Sequence, residues 1–250
     1  MRYYLIAGEA SGDLHGANLI AALKKYDATS EFRAWGGNKM KNQGAQIVKH
    51  YKHLAFMGFW EVAKNLRTII SYISFCKNDI LSFKPDALIL IDYPGFNMRI
   101  AKWASTLGIP IHYYIMPQVW AWKESRVNNL AKHTNYRYAI LPFEVDFFEQ
   151  KHQLPIDFVG HPLIDELSAI PTANKASFTS SLGLKKNERV IALLPGSRKQ
   201  EISKILGVMT AIIHSFPDYR FVIAGTSNID QSLYQQLAPD VDIVMNHTYD

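Results

Sequence analysis

Apolar positions along the chain fall into short solid runs, separated by longer stretches in which they recur every three or four residues. A solid run has no wet face, and a three-to-four spacing gives a helix one apolar stripe, so the alternation predicts a parallel sheet covered by helices. Tyr3–Ala7 predicts the first strand, Leu14–Tyr26 a helix and Glu31–Trp35 a second strand. The longest helix is expected from about Gly58 to Phe83. There Val62, Leu66, Ile69, Ile73, Cys76 and Ile80 step by four and three, while Lys64, Arg67, Ser71, Ser74, Lys77 and Asn78 fall elsewhere. Ala87–Ile91 is apolar throughout and is expected at the centre of the sheet. Pro110–Ile115, Tyr138–Leu141 and Ile156–Val159 predict further strands of a first domain, residues 1–165.

Between 166 and 188 Ser, Thr, Ala, Asn and Lys predominate, which reads as a linker with one short helix near Phe178–Leu182. A second α/β domain, 189–250, opens with a strand at Arg189–Leu194 and the turn Pro195-Gly196-Ser197-Arg198. The helix after it should present Ile202, Ile205, Leu206, Met209, Ile212, Ile213 and Phe216 on one face. Ser197 with Gln200 three residues on matches a capping box at its start. Arg220–Ala224 and Val241–Met245 predict two more strands. Three strands make this domain either unusually small or incomplete in the sequence given.

Composition narrows the class. The chain has 250 residues, 48% apolar and 20% charged, which excludes disordered and collagen-like classes. Lys and Arg number 27 against 22 Asp and Glu, a formal charge of +5 that favours anionic partners but is too dilute to require nucleic acid. Cys76 is the one cysteine, so no internal disulfide forms and a reducing compartment is expected, with Cys76 as a buried hydrophobe. The start Met1–Glu9 has too short an apolar run and too early an acid for a signal peptide. Trp103–Trp122 contains no Asp, Glu, Lys or Arg over about the length of a membrane span, but Gly108, Pro110 and Pro117 break it.

Four segments offer chemistry. Gly8–Gly16 joins the first strand to its helix, at the sheet edge where ligands of parallel sheets bind. Its glycines fit neither the dinucleotide pattern nor a P-loop, and a tight turn capped by Ser11 or Asp13 reads equally well. Asp92, after the apolar strand, is expected to be partly desolvated, with the proton affinity a general base needs. It also reads as a cap for the segment after Pro94. At Pro195–Arg198 Gly196 lets backbone approach an anion, new helix amides attract it and Arg198 adds a cation, although an ordinary capped helix has the same residues. Met116–Lys123 places Trp120 and Trp122 in a loop at the same sheet edge as Asp92, to bind an apolar or sugar ligand or to pack in the core. No zinc-type motif occurs, and Asp240-Val241-Asp242 alternates on a strand, so no metal site is expected. No Gly-x-Ser-x-Gly elbow supports a serine hydrolase.

Seven blocks in order resemble lipid-A-disaccharide synthase, a bacterial glycosyltransferase family of the GT-B class with two Rossmann-like domains. They are Ala7–Asp13, Met57–Val62, Ile91–Asn97, Pro117–Trp122, Leu141–Glu144, Val159–Pro162 and Leu193–Arg198. They cover residues 3 to about 200. Two departures stand out. The family continues for roughly a further third with donor-nucleotide motifs not found in this sequence, so the second domain is expected to be incomplete and the 250 residues alone inactive. Met116-Pro117-Gln118 also replaces the more usual Ser-Pro-Ser.

The resemblance implies inverting transfer of 2,3-diacylglucosamine from UDP-2,3-diacylglucosamine to 2,3-diacylglucosamine 1-phosphate, giving lipid A disaccharide and UDP without a cofactor. Asp92 matches the candidate base, and Gly196, Ser197 and Arg198 match the diphosphate-binding turn. Glu9, Ser11, Gly12, Asp13, Asn97, Gln118, Trp120 and His161 are acceptor or cleft candidates, Glu9 and His161 also as helpers of Asp92. The two sites lie in different domains, so closure is expected to bring them together. Acylated substrates call for an apolar surface: Phe56, Met57, Phe59 and Trp60, flanked by Lys49, Lys52, Lys64 and Arg67, fit an anionic membrane surface or pack under a neighbouring loop. The implied place is the cytoplasmic side of the inner membrane, peripherally bound, and a homo-oligomer is compatible with the sequence. The rivals are another UDP-sugar enzyme of the same fold, such as a nucleotide-sugar epimerase, or a nonenzymatic nucleotide-binding module. A dinucleotide oxidoreductase would need the missing G-x-G-x-x-G.

Overall fold

The solid apolar runs form strands. In chain order the first unit contains β1 (Arg2–Ala7), β2 (Glu31–Gly36), β3 (Gln46–His50), β4 (Ala87–Ile91), β5 (Ile111–Tyr114), β6 (Tyr136–Ala139) and β7 (Asp157–Phe158). They lie side by side as β3-β2-β1-β4-β5-β6-β7, every pair parallel. β4 is the middle strand and all five of its residues are buried, as its uniform apolarity requires. The computed structural model describes residues 1–54, 66–168, 180, 182–184, 188–226 and 229–245. The chain divides into two compact units, Met1–Ile164 and Asp165–Asp250.

Among the described residues, the α-helices of the first unit include α1 (Ala10–Tyr26), α2 (Asn38–Asn42), α3 (Leu66–Phe83), α4 (Pro94–Ala104), α5 (Val119–Trp122), α6 (Val127–His133) and α7 (Pro142–Val145). Side chains alternate across a strand, so each strand feeds two cores. Tyr4, Ile6, Leu88, Leu90 and Tyr113 meet α3, α4 and α6 through Cys76, Ile80, Phe96, Ile100, Val127 and Leu130. Leu5, Ala7, Ile89 and Ile91 meet α1 and α2 through Ala17, Ile20 and Met40 on the other face. Cys76 is buried and free, and burial pushes its thiol pKa up.

Several expectations shift. α1 starts at Ala10 rather than Leu14, so most of Gly8–Gly16 is helix and the true turn is Gly8–Glu9. A Cβ on Gly12 would lie 2.9 Å from the Ala7 Cβ, and one on Gly16 would lie 1.9 Å from Met40 Cε. Those glycines therefore serve close packing. β3 and α2 were not anticipated. Strand β6 runs Tyr136–Ala139, ending two residues before the expected Leu141. The Glu144 carboxylate accepts the N–H groups of Ile140 (3.1 Å) and Leu141 (3.0 Å) and takes them out of the ladder. Of the expected long helix, residues 58–65 lie outside the described residues. Among the described residues no helix is long and apolar enough to cross a membrane.

The second unit contains β8 (Arg189–Leu193), α8 (Lys199–Thr210), β9 (Tyr219–Gly225), α9 (Gln231–Leu237) and β10 (Asp242–Met245). Its strands run parallel in the order β10-β9-β8. Leu193, Ile202, Leu206, Phe221, Ile223 and Tyr234 form its core. α8 ends at Thr210, which breaks the expected single face before Ile212 and Phe216; both are exposed, and so is Ile205 within the helix. The capping pair also sits one residue later than expected: Glu201, not Gln200, reaches back to the helix start. Most of the segment read as a short helix at 178–182, and much of the 166–188 stretch, lies outside the described residues.

Candidate active site

Strand order reverses between β1 and β4, because the chain builds outward to β2 and β3 on one side and to β5, β6 and β7 on the other. Ligands of open parallel sheets bind beyond the carboxyl ends of such neighbours. β1 ends in Gly8–Glu9 and β4 in Asp92–Tyr93. Asp92 (φ 43°) and Tyr93 (φ 51°) are both left-handed, and so is Ile115 (φ 63°) just past β5. A non-glycine residue held there costs about 1–3 kcal/mol, and such strain collects at functional sites. The Asp92 carbonyl is fixed by two donors, Tyr113 O–H at 2.8 Å and Asn97 Nδ2 at 2.7 Å. The Asp92 side chain itself is exposed, contrary to the expected partial desolvation, because the left-handed turn directs it off the end of the sheet.

Around this strand end, Glu9 and Ser11 are exposed while Gly12 and Asp13 are buried. The Asp13 carboxylate accepts from the backbone N–H groups of Gly37 (2.7 Å), Lys39 (3.0 Å) and Met40 (3.1 Å), so it secures the start of α2. Tyr93 leans over Gly8. Burial, and then the charge of Glu9, push its phenol pKa up. Asn97 is fully buried and its amide also donates to the carbonyls of Ile6 (3.3 Å) and Ile91 (3.2 Å), tying the ends of β1 and β4. His161, after β7, lies edge-on to the buried His15 at 6.3 Å. Its Nδ1 accepts from the Leu163 N–H at 3.2 Å, which leaves Nε2 to carry the proton of the neutral ring.

Gln118 is exposed at the start of α5. Trp120 packs edge-on against Phe143 at 4.9 Å and donates its indole N–H to Glu144 at 3.4 Å. Glu144 is 1% exposed, so one buried carboxylate ties the Pro117–Trp122 and Leu141–Glu144 blocks into one structural piece. Beside them Trp122 is exposed, with the Arg126 guanidinium 4.7 Å and Lys123 Nζ 5.3 Å from its ring. Sequence reasoning did not single out Tyr113, Glu144 or His15, although the Gly8–Gly16 and Leu141–Glu144 segments contain two of them. Each looks like an ordinary core or helix residue, and only the strand order places them in this neighbourhood.

In the second unit Gly196 takes φ 111°, and a Cβ on it would lie 2.7 Å from Glu201 Oε2. That oxygen accepts the N–H groups of Ser197 and Arg198 at 3.3 Å each, and Arg198 Nη1 lies 3.4 Å from Glu201 Oε1. A carboxylate thus rests on the amides that an anion would use. Asp242 is paired with Arg220 at 2.7 Å. Among the described residues no group of three His, Cys, Asp or Glu is placed to hold a metal. Phe56, Met57, Phe59 and Trp60 lie outside the described residues.

The family model for lipid-A-disaccharide synthetase matches residues 3–247. The chain belongs to that family. Curated lipid-A-disaccharide synthases agree. That of Geobacter metallireducens is 37% identical over 257 residues, covering 100% of this chain and 66% of its own length. That of Trichlorobacter lovleyi is 40% identical over 242 residues, covering 95% and 62%, and that of Coxiella burnetii 32% over 247, covering 97% and 65%. The chain therefore spans just under two thirds of the length of these family members. Among solved structures, UDP-GlcNAc 2-epimerase from Neisseria meningitidis bound to UDP-GlcNAc superposes with TM-score 0.64 at 16% identity, covering 98% of this chain and 72% of that one. MnaA of S. aureus in a UDP co-structure gives 0.69 at 12%, covering 98% and 69%. At such identities the likeness is one of fold, the α/β architecture of the GT-B class.

Proposed function

We propose that the protein to which this chain belongs is an inverting glycosyltransferase, moving 2,3-diacylglucosamine from UDP to 2,3-diacylglucosamine 1-phosphate. Family membership supplies the reaction. The observation that carries the assignment of roles is Asp92, turned out at the carboxyl end of the central strand beside the topological switch point. Its carboxylate accepts the proton of the acceptor 6-hydroxyl as that oxygen attacks the donor anomeric carbon from the face opposite UDP. The new C–O bond forms as the bond to the diphosphate breaks, so an α-linked donor gives a β-1,6-linked disaccharide. Arg198 and the Gly196-Ser197 amides balance charge developing on the departing UDP. Glu9, Ser11, Gln118, Trp120 and His161, all near the carboxyl ends of the first sheet, line the acceptor side. Gly12, Asp13 and Asn97 hold that edge in shape from within.

Both substrates carry acyl chains, so the enzyme works peripherally on the anionic cytoplasmic face of the inner membrane, using Phe56, Met57, Phe59 and Trp60. Incubating the natural full-length protein with radiolabelled UDP-2,3-diacylglucosamine and the acceptor tests the whole reading. The expected product is the β-1,6 disaccharide, made at least about 10²-fold more slowly by Asp92→Asn. Unchanged turnover in a pure Asp92→Asn preparation removes Asp92 from the mechanism.

A further inference from the structure

We infer that Tyr113, together with Asn97, is a positioning residue that sets the direction of the Asp92 carboxylate by gripping the Asp92 carbonyl. The inference rests on the reading of Asp92 as the base, and it starts from the pleat of β4. Leu88 and Leu90 face the core under α3 and α4, whereas Ile89 and Ile91 face the core under α1. Continued extended backbone would send the next side chain, that of Asp92, to the Leu88 and Leu90 side. That would drive a carboxylate into apolar packing against Phe96, where it would lose its water.

The left-handed turn at Asp92 and Tyr93 reverses the exchange: the backbone carbonyl faces inward and the side chain outward. Both groups that receive the carbonyl come from that core. Tyr113 is completely buried on β5, and its hydroxyl donates to Asp92 O at 2.8 Å. Asn97 is completely buried on α4 and spends its amide hydrogens on the carbonyls of Ile6, Ile91 and Asp92. Its own Oδ1 has no hydrogen-bond partner among the described residues. A buried hydroxyl and an amide with an orphaned oxygen are unfavourable in an apolar core, which Phe and Leu would fill more simply. Their common feature is the carbonyl of the proposed base.

Because Tyr113 acts through Asp92, a double-mutant cycle in the natural full-length protein separates positioning from packing. Tyr113→Phe keeps the ring and removes the hydroxyl. It is expected to lower kcat about tenfold, with KM for either substrate changed less than about twofold, since a small misplacement of a reacting group is felt in the chemical step. In an Asp92→Asn background the same change should leave the residual kcat within about twofold, because no base remains to misplace. Equal losses in both backgrounds, or an unchanged kcat in the wild-type background, overturn the inference. If Tyr113→Phe does not unfold cooperatively, Asn97→Ser is put through the same cycle with the same two outcomes. A fully active Asp92→Asn instead overturns the base reading. The grip is then judged by amide hydrogen exchange of Asp92, which should speed up in Tyr113→Phe and which, unchanged, sinks it.

Discussion

The ring of Tyr93 lies against the face of Gly8, so close that a Cβ on Gly8 would sit 2.4 Å from two of its carbons. The two residues end neighbouring strands, and the contact closes the floor of the switch point from which Asp92 projects. Tyr93 cannot swing away freely, because its left-handed backbone is continuous with that of Asp92. Gly8→Ala should therefore lower stability by about 1–3 kcal/mol, the usual cost of overpacking. It should also reduce turnover, by moving Tyr93 and Asp92 together. Thermal denaturation and a transfer assay check it; a variant normal in both would show that the contact is easily relieved.

A second network fastens α3 to the sheet. Arg33 Nε donates to Asp79 at 2.8 Å, Tyr4 O–H donates to the same carboxylate at 2.7 Å, and Trp35 Nε1 donates to the Tyr4 oxygen at 2.9 Å. Burial alone would raise the Asp79 pKa, but the Arg33 and Tyr4 hydrogen bonds outweigh it and hold the carboxyl below the ordinary aspartate range. A depressed folded-state pKa gives stability that is present above the unfolded pKa of about 3.9 and is lost as pH falls through the folded value. Asp79→Ala should cost about 3 kcal/mol at neutral pH, since it leaves Arg33 without its acid partner. The penalty should shrink in acid. Denaturant melts at pH 7 and pH 3 decide the matter, and an equal penalty at both would refute it.

Glu144 divides its two oxygens between the backbone and Trp120. Glu144→Ala should destabilise by about 2–3 kcal/mol through stranded amides. Glu144→Gln can still accept from Ile140 and Leu141 with its carbonyl oxygen but turns an NH₂ toward the indole N–H. It should cost less while shifting the Trp120 indole resonance in a proton–nitrogen spectrum. No shift in that resonance would place Trp120 elsewhere.

The proposed membrane contact depends on Met57 and Trp60. Each buried methylene is worth about 0.8 kcal/mol to lipid association. Replacing both with Ser should reduce co-sedimentation with vesicles containing anionic lipid, while transfer to detergent-dispersed substrates continues. Equal sedimentation of variant and parent would assign those side chains to internal packing.

What could be read from the sequence follows how local each cause is. Ala87–Ile91 could only be a fully buried strand, and it is the middle one. The start of α1 was hidden because Ser11, Gly12 and Gly16 look like loop residues. The two glycines are there because Ala7 and Met40 approach so closely, which periodicity does not encode. β3 escaped notice because Gln46–His50 is short, lies at the sheet edge and has no fully buried residue. Asp92 was legible from its place after a strand, but Tyr113 was not. Its link to Asp92 exists only through the β4–β5 register, which sets Ile91 beside Tyr114.

The remaining prediction concerns the turn before α8, where the amides of Ser197 and Arg198 already hold the Glu201 carboxylate. A carboxylate satisfies helix-start amides as a phosphate does, so if the turn takes the donor diphosphate as proposed, binding displaces Glu201 from them. On that reading Arg198 tips the exchange. Its guanidinium lies 3.4 Å from Glu201 and makes a bidentate fork that suits a diphosphate better than a single carboxylate. In the natural full-length protein, Arg198→Ala should weaken UDP binding about tenfold, on the scale of one charge-assisted hydrogen bond. Uridine, which has no phosphate, should bind the variant and the parent alike. The difference between the two ligands should narrow at high salt, because the turn is exposed and its charges are screened. Isothermal titration of both ligands at two salt concentrations measures all of this. A variant that loses uridine as much as UDP would place Arg198 at the nucleoside, and one that loses neither would remove this turn from the donor site.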